Sequence, residues 1–372
     1  MNKTTSALAA ALGAVLALSA CGSSDSSSGS GGASGSGASD ADLAAYQQIV
    51  DEGTAPVAWA GPTDAAKAPA GVSLAIVTCT MALEGCKLLT EGTENAAKAV
   101  GWEADVVNVT DPTGYDQALQ TVISSGADAV VLVGVDQHLI PGGIAAAHDK
   151  GIPLVSLFQN NEAGPDGVDV EVSPDPEQEG KLLAASMIVD HGGKVNALLM
   201  PDEEFSLPVA VLAAAKDTLD GCDACDVKYA DEINFTAATV GTTLPSRVVA
   251  ALRQDPSINA ILVGFDPPVT TVIPAMVAAG LQDQAKFYSQ LGTTAALGFI
   301  ADDTVMAADV GASNEWGGWA AVDQAIRLLN GQPTVEENVP VVLLTKSNLP
   351  PEGEPFVGEE AGFKDKYLAL WK

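Results

Sequence analysis

The sequence predicts an α/β protein of two similar lobes, each built on a parallel sheet, and three observations carry that prediction. From residue 72 onward, short β-branched runs alternate with helical stretches of ten or more residues, the pattern of βαβ units. The strand candidates are nearly continuous apolar runs, as strands covered by helices on both faces must be. The 372 residues are enough for two domains at ~100–200 residues each, and the alternation restarts midway.

In the first half the strand candidates are 72–77, 104–109, 129–133 and 154–157. Between them Leu88, Gly92, Ala96 and Val100 recur at helical spacing, and 115–125 and 139–150 supply two more helices. The second half reads as helix 181–190, strand 195–200, helices 208–219 and 240–253, strand 260–263, helix 269–279 and strand 287–289. A last helix carries the stripe Trp316, Trp319, Ile326 and Leu329, which reads as core, and stops at Asn330-Gly331.

The ends and the charge bound the function. Lys3 precedes an apolar run over 7–18, which ends in Leu18-Ser19-Ala20-Cys21. That is a secretion signal over 1–20, since roughly 12 residues fall short of the ~20 that span a bilayer. Leu-Ser-Ala-Cys also resembles a bacterial lipobox, which implies cleavage before Cys21 and a lipid on its thiol. Residues 21–40 form a Gly/Ser-rich linker with almost nothing to bury, and 41–71 form a helical lead-in with one helix over 41–52. A composition 47% hydrophobic and 17% charged excludes both a disordered acidic chain and a multi-span membrane protein. With 17 Lys and Arg against 48 Asp and Glu, the formal charge of −31 repels phosphate backbones, so nucleic acid is not a partner.

Four further cysteines fall into two close pairs, Cys79 with Cys86 and Cys222 with Cys225. Export favours disulfides, and closeness selects Cys79–Cys86 and Cys222–Cys225 among the possible connectivities. The spacings fit no common zinc pattern, so no metal is expected.

Specific segments then resemble a known family. Gly126-Ala127-Asp128-Ala129-Val130-Val131-Leu132-Val133-Gly134-Val135-Asp136, followed by Ala147-His148-Asp149-Lys150-Gly151-Ile152-Pro153-Leu154-Val155, is similar to the corresponding stretch of type 1 periplasmic binding proteins, the ribose-like solute receptors of ABC importers. Asp175-Pro176-Glu177-Gln178-Glu179-Gly180-Lys181-Leu182 and Ala325-Ile326-Arg327-Leu328-Leu329-Asn330-Gly331 fit the same family. The resemblance implies two Rossmann-like lobes joined by a three-crossing hinge, with ligand loops at strand C-termini. Lobe one would be 72–172 plus 313–340, and lobe two 173–312 plus 341–372. It implies a monomeric, non-enzymatic receptor outside the cytoplasm, lipid-anchored to the cell membrane. Its partners would be a small solute and an ABC permease, it would need no cofactor, and it would work by hinge closure.

Matched residue by residue, the polar grips of sugar-binding members are replaced. The Asp-Arg often found after the fourth strand falls on Phe158-Gln159, an Arg falls near Val211, an Asn falls on Phe265, an Asp on Leu291 and a Gln on Ala312; Asp175 alone keeps its chemistry. Each polar ligand group left unpaired costs about 1–3 kcal/mol, so the lining suits a neutral, relatively apolar ring compound better than an aldose. Thr80, Met81 and Glu84 lie in the first-strand loop, which Cys79–Cys86 either stiffens as a pocket wall or staples at the surface. Asp136 and Asp266 either orient ligand or cap helices. Phe205, Gln290, Asn314 and Trp316 complete the candidate site, while Glu203-Glu204 reads as a solvated acidic loop. The rival readings are a conventional sugar receptor, a sensor lobe, and a secreted hydrolase using Asp136, Asp175 or Asp266 as acid and base.

Overall fold

Every strand of the first sheet is parallel to its neighbours, and that sheet sets the position of the functional loops. The computed structural model describes residues 38–372. The expected signal, the lipidation site Cys21 and the linker up to residue 37 lie outside the described residues. Helix α1 (Asp40–Gly53) begins at a capping box in which Ser39 and Asp42 satisfy each other's backbone N–H. The first lobe then runs β1 (Ser73–Thr78), α2 (Glu84–Ala99), β2 (Glu103–Asn108), α3 (Tyr115–Ser125), β3 (Ala129–Val133), α4 (Pro141–Lys150), β4 (Leu154–Leu157) and β5 (Val170–Val172). The sheet order is β2-β1-β3-β4-β5. All residues of β3 and β4 are buried, which is why they read as unbroken apolar runs.

The second lobe runs α5 (Pro176–Asp190), β6 (Lys194–Met200), α6 (Ser206–Asp220), β7 (Asp226–Glu232), α7 (Ala237–Val240), α8 (Leu244–Gln254), β8 (Ala260–Val263), α9 (Val269–Ala278), β9 (Lys286–Gln290), α10 (Thr294–Ala301) and β10 (Met306–Ala312). Helix α11 (Asn314–Leu329) returns to pack on the first lobe against α2, β3, β4 and β5, and β11 (Val341–Leu344) comes back to pair antiparallel with β10. The order is β11-β10-β9-β8-β6-β7. In each lobe the strand order reverses beside a central strand, β1 or β6, and loops diverge there at the C-terminal ends, leaving a crevice.

Bare glycine surfaces let the helices of each lobe approach closely. A Cβ on Gly318 of α11 would lie 2.3 Å from the backbone nitrogen of Thr93 on α2, and one on Gly180 of α5 would lie 2.5 Å from the Ala215 nitrogen on α6. Neither neighbour is a side chain that can swing away.

The lobes are joined at 173–175, at Ser313 and at 330–340, and two more passages come from the ends of the chain. Helix α1 packs on α5 and β11 of the second lobe, after which 54–72 crosses to the first. The tail was expected to stay in lobe two; instead 345–362 crosses back, and α12 (Phe363–Leu370) packs on α11. The cause is aromatic. Phe363 stacks on Trp316 at 5.0 Å, Trp371 on Trp319 at 5.4 Å, and Trp59 of the lead-in covers the other side of Trp316 at 5.3 Å. The Trp371 indole donates to Asp323, which is also paired with Arg327, and the Tyr367 hydroxyl donates to Glu337. Ala66 and Ala68 donate to the carbonyls of Leu370 and Trp371, tying lead-in to tail. Among the described residues no helix is long and apolar enough to cross a membrane.

The glycine packing gives a test by sign. Gly318→Ala should destabilise by ~1–3 kcal/mol through overpacking. Gly298→Ala on α10, where a Cβ meets open space, should stabilise by ~0.5–1 kcal/mol. Denaturant midpoints of the two variants check this.

Candidate functional site

The two crevices face each other, and loops from both lobes meet. Cys79 follows β1, Gly134 follows β3 and Phe158 follows β4; from the other lobe come Phe205 after β6, Phe265 and Pro267 after β8, and Leu291 after β9. Together with Leu83, Gly85, Cys86, Leu89, Leu207, Pro208 and Gln290 they line a cavity of about 50 Å³. The cavity adjoins a wider part of the cleft, about 540 Å³, whose lining includes Thr80, Asp111, Asp136, His138, Glu203 and Phe205.

The inner lining is apolar and rigid. Phe205 and Phe235 lie against Phe265, with ring centroids 5.4 and 5.9 Å away. Phe158 is held at φ 58°, and its ring lies where a Cβ on Gly317 of α11 would come within 2.6 Å of it. Leu291 sits at φ 127°, a conformation that L residues rarely adopt. The Cys79–Cys86 and Cys222–Cys225 disulfides are both formed. Both residues of the first line the cavity, so that disulfide is pocket wall rather than surface staple. Gln290 is the one polar side chain in the inner lining. Its Nε2 donates to the Gly264 carbonyl at 2.7 Å, and its Oε1 is buried without a partner.

Three of the expected residues brace the cleft with their carboxylates, and Asp136 also lines its wider part. Glu84 reaches from α2 to accept the Thr294 N–H at 2.9 Å, capping α10 across the lobes. Asp136 accepts from the His138 N–H at 2.8 Å and from the Ser206 hydroxyl of the other lobe at 3.1 Å. Partial burial opposes its charge, yet these hydrogen bonds hold its carboxyl below the usual range. Asp266 is buried and accepts from Ser289 at 2.7 Å and from the Thr293 hydroxyl at 2.6 Å.

The remaining expected residues are dispersed. Thr80 lines the wider cleft, and Met81 donates its N–H to Asn108 on the first-lobe rim. Gln159 is fully buried, with its side-chain amide unpartnered and its N–H on Glu171. Asp175 is the exposed N-cap of α5 at the hinge, Asn314 donates to the Leu291 carbonyl, and Trp316 lies in the aromatic stack with α12. Sequence reasoning passed over Leu83, Leu207 and Pro208, whose only signal is an apolar residue just after a strand's C-terminal loop. It also passed over Asp202, buried in the loop after β6; burial pushes its carboxyl up to about 7, with the Glu204 and Glu203 charges adding to the effect. Among the described residues no cluster of His, Cys, Asp and Glu could hold a metal ion.

The comparisons agree with this architecture. A family model described as "periplasmic binding protein domain" matches residues 75–333. No curated protein matches the chain. An ABC sugar transporter subunit from Rhodobacter sphaeroides superposes with a TM-score of 0.67 at 22% identity, covering 74% of this chain and 98% of its own. An ABC transporter solute-binding protein from Agrobacterium vitis with bound allitol gives 0.67 at 24% identity, covering 75% and 97%. One from Mycobacterium smegmatis with bound glycerol gives 0.67 at 18%, covering 77% and 99%. At these identities the likeness shows a shared fold.

The interlobe cap makes a prediction about closure. Glu84→Gln removes a charge from the N-terminus of α10, an interaction worth ~0.3–1 kcal/mol. The open population should rise by up to about fivefold, readable by small-angle scattering or by fluorescence transfer between labels on the two lobes.

Proposed function

The chain belongs to the periplasmic binding protein domain family, and from that membership we propose that it is an extracytoplasmic receptor for an ABC importer, capturing a small neutral ring solute that bears a hydroxyl. The observation that carries this reading is the inner lining: aromatic and aliphatic side chains on every side, with Gln290 Oε1 as the acceptor left over. A ring compound buries apolar surface there at ~25 cal/mol per Å², and one hydroxyl satisfies the amide oxygen. An aldose carries a hydroxyl on nearly every carbon. Each one left unpaired against this wall costs about 1–3 kcal/mol, which soon exceeds what the ring faces return.

Capture proceeds by population shift, because only the closed arrangement gives the solute contacts with Phe158 on one lobe and Phe205, Phe265 and Leu291 on the other. The Cys79–Cys86 wall and the satisfied loops lower the ordering cost of that step. Residues 1–40 support delivery to the outer face of the membrane, where a lipid on Cys21 would keep the receptor beside its permease. The acids a hydrolase would need are otherwise engaged: Asp175 caps a helix, Asp136 bridges the lobes and Asp266 holds a turn.

A polyol or sugar is the second reading, favoured by the wider cleft. Its 540 Å³ falls within the ~300–1,000 Å³ of ordinary ligand sites and is lined by Thr80, Asp111, Asp136 and Glu203.

A thermal-shift series on the purified protein separates the two. Cyclohexane-1,2-diol and related hydroxylated rings should raise the Tm by several degrees at concentrations near 100 Kd, where linkage supplies about 2.7 kcal/mol. Phe205→Ala should weaken that binding about tenfold. Stabilisation by allitol or D-allose alone, with none by ring alcohols, selects the polyol reading instead.

A further inference from the structure

The wall of the cleft contains a carboxyl pair that solute capture by itself does not account for. Asp309 lies on β10, fully buried, in a run whose other members are small or apolar. Its Oδ1 accepts the N–H of Gly292 at 2.8 Å, and its side chain meets that of Asp266, which comes from the loop after β8. Asp266 in turn accepts the N–H of Thr293 at 2.9 Å as well as the Ser289 and Thr293 hydroxyls. The two carboxyls thus hold successive amides of one turn, the turn that places Leu291 at φ 127° in the cavity wall. The next amide, that of Thr294, is the one that Glu84 takes from the other lobe.

We infer that Asp309 is a positioning residue: accepting the Gly292 N–H through Oδ1 and, when protonated, turning Oδ2 as a donor toward Asp266, it sets the turn Leu291–Gly292–Thr293 that forms the cleft wall and aims the Thr294 N–H at Glu84. A hydrogen bond between two carboxyls requires one proton. It belongs on Asp309 Oδ2, which is buried and accepts no hydrogen bond, while both oxygens of Asp266 are occupied as acceptors. Burial raises the affinity of both groups for that proton, and for Asp309 the charge of Asp266 raises it further. The other titratable group facing Asp309 is Glu179 on α5, buried and itself pushed well above the carboxylate range by burial and by Asp175.

The sign of the pH effect follows. A carboxyl whose folded state retains its proton costs nothing below the unfolded value of ~3.9 and loses stability as pH rises through its folded value. Asp309→Asn keeps both hydrogen bonds, with the amide oxygen accepting from Gly292 and the amide N–H donating to the Asp266 carboxylate, and has no proton to lose. Asp309→Leu keeps the forked shape at a larger volume and loses both.

The inference rests on the proposed function only in taking this cleft for the capture site, so its test uses no solute. Amide exchange at Gly292 and Thr293 is measured by NMR on full-length wild type and both variants, and Tm is followed from pH 4 to 8. Asp309→Asn should hold Gly292 protection within about twofold of wild type, and its Tm should gain on wild type as pH rises. Asp309→Leu should lose protection at Gly292 at least tenfold. If Asp309→Leu does not fold, the Asp309→Asn profile decides alone. An Asp309→Asn Tm that runs parallel to wild type at every pH overturns the inference, and so does unchanged protection in Asp309→Leu.

Discussion

A leucine at φ 127° in a buried turn is strained by ~1–3 kcal/mol, and it persists only where its surroundings leave it no alternative. Here every polar group of the turn is taken. Leu291 donates to Val310, Gly292 to Asp309, Thr293 to Asp266 and Thr294 to Glu84, while the carbonyls of Leu291 and Gly292 accept from Asn314 and Phe356. These partners come from both lobes, from the hinge and from the returning tail. The Glu84 bond breaks when the lobes part, whereas those from β10 and from the loop after β8 belong to the same lobe as the turn and keep holding it.

The same constraint explains the two extra passages between the lobes. Phe356 packs where a Cβ on Gly292 or Gly311 would sit, at 2.8 and 2.9 Å, so the tail covers the turn from outside. It then continues to the aromatic stack on α11, where Trp59 of the lead-in joins it. The lead-in and the tail are thereby tied to each other and to α11. In a chain of formal charge −31, with few cations to pair its acids, buried carboxyls are tolerated by staying protonated or by accepting several hydrogen bonds.

The sequence made much of the fold legible because its central strands are buried on both faces. Candidates at 129–133, 154–157 and 260–263 coincide with β3, β4 and β8, since a doubly covered strand leaves an unbroken apolar run. Strands without that signature were invisible: β5 is three residues long, β7 is a polar edge strand and β10 sets Asp309 among small residues; β11 has the apolar run but stands behind a Pro-containing loop. At the site, Phe158, Phe205, Phe265, Gln290 and Leu291 could be read because each follows or ends a strand at the cleft. Trp316 could not be placed, since an aromatic stripe looks the same whether it meets a ligand or a distant tail. Asp309 carried a faint signal, a lone charge in a small apolar strand, and its meaning depends on Asp266, 43 positions earlier (309 − 266).

The account turns on where a solute sits and what touches it. A crystal structure with the solute that binds most tightly in the thermal-shift series measures this directly. The account predicts a ring between Phe158, Phe205, Phe265 and Leu291, with one hydroxyl on Gln290 Oε1 and the Leu291–Thr293 turn unchanged. A solute held in the outer cleft by Asp111, Asp136 and Glu203, with the apolar cavity closed beside it, would contradict it.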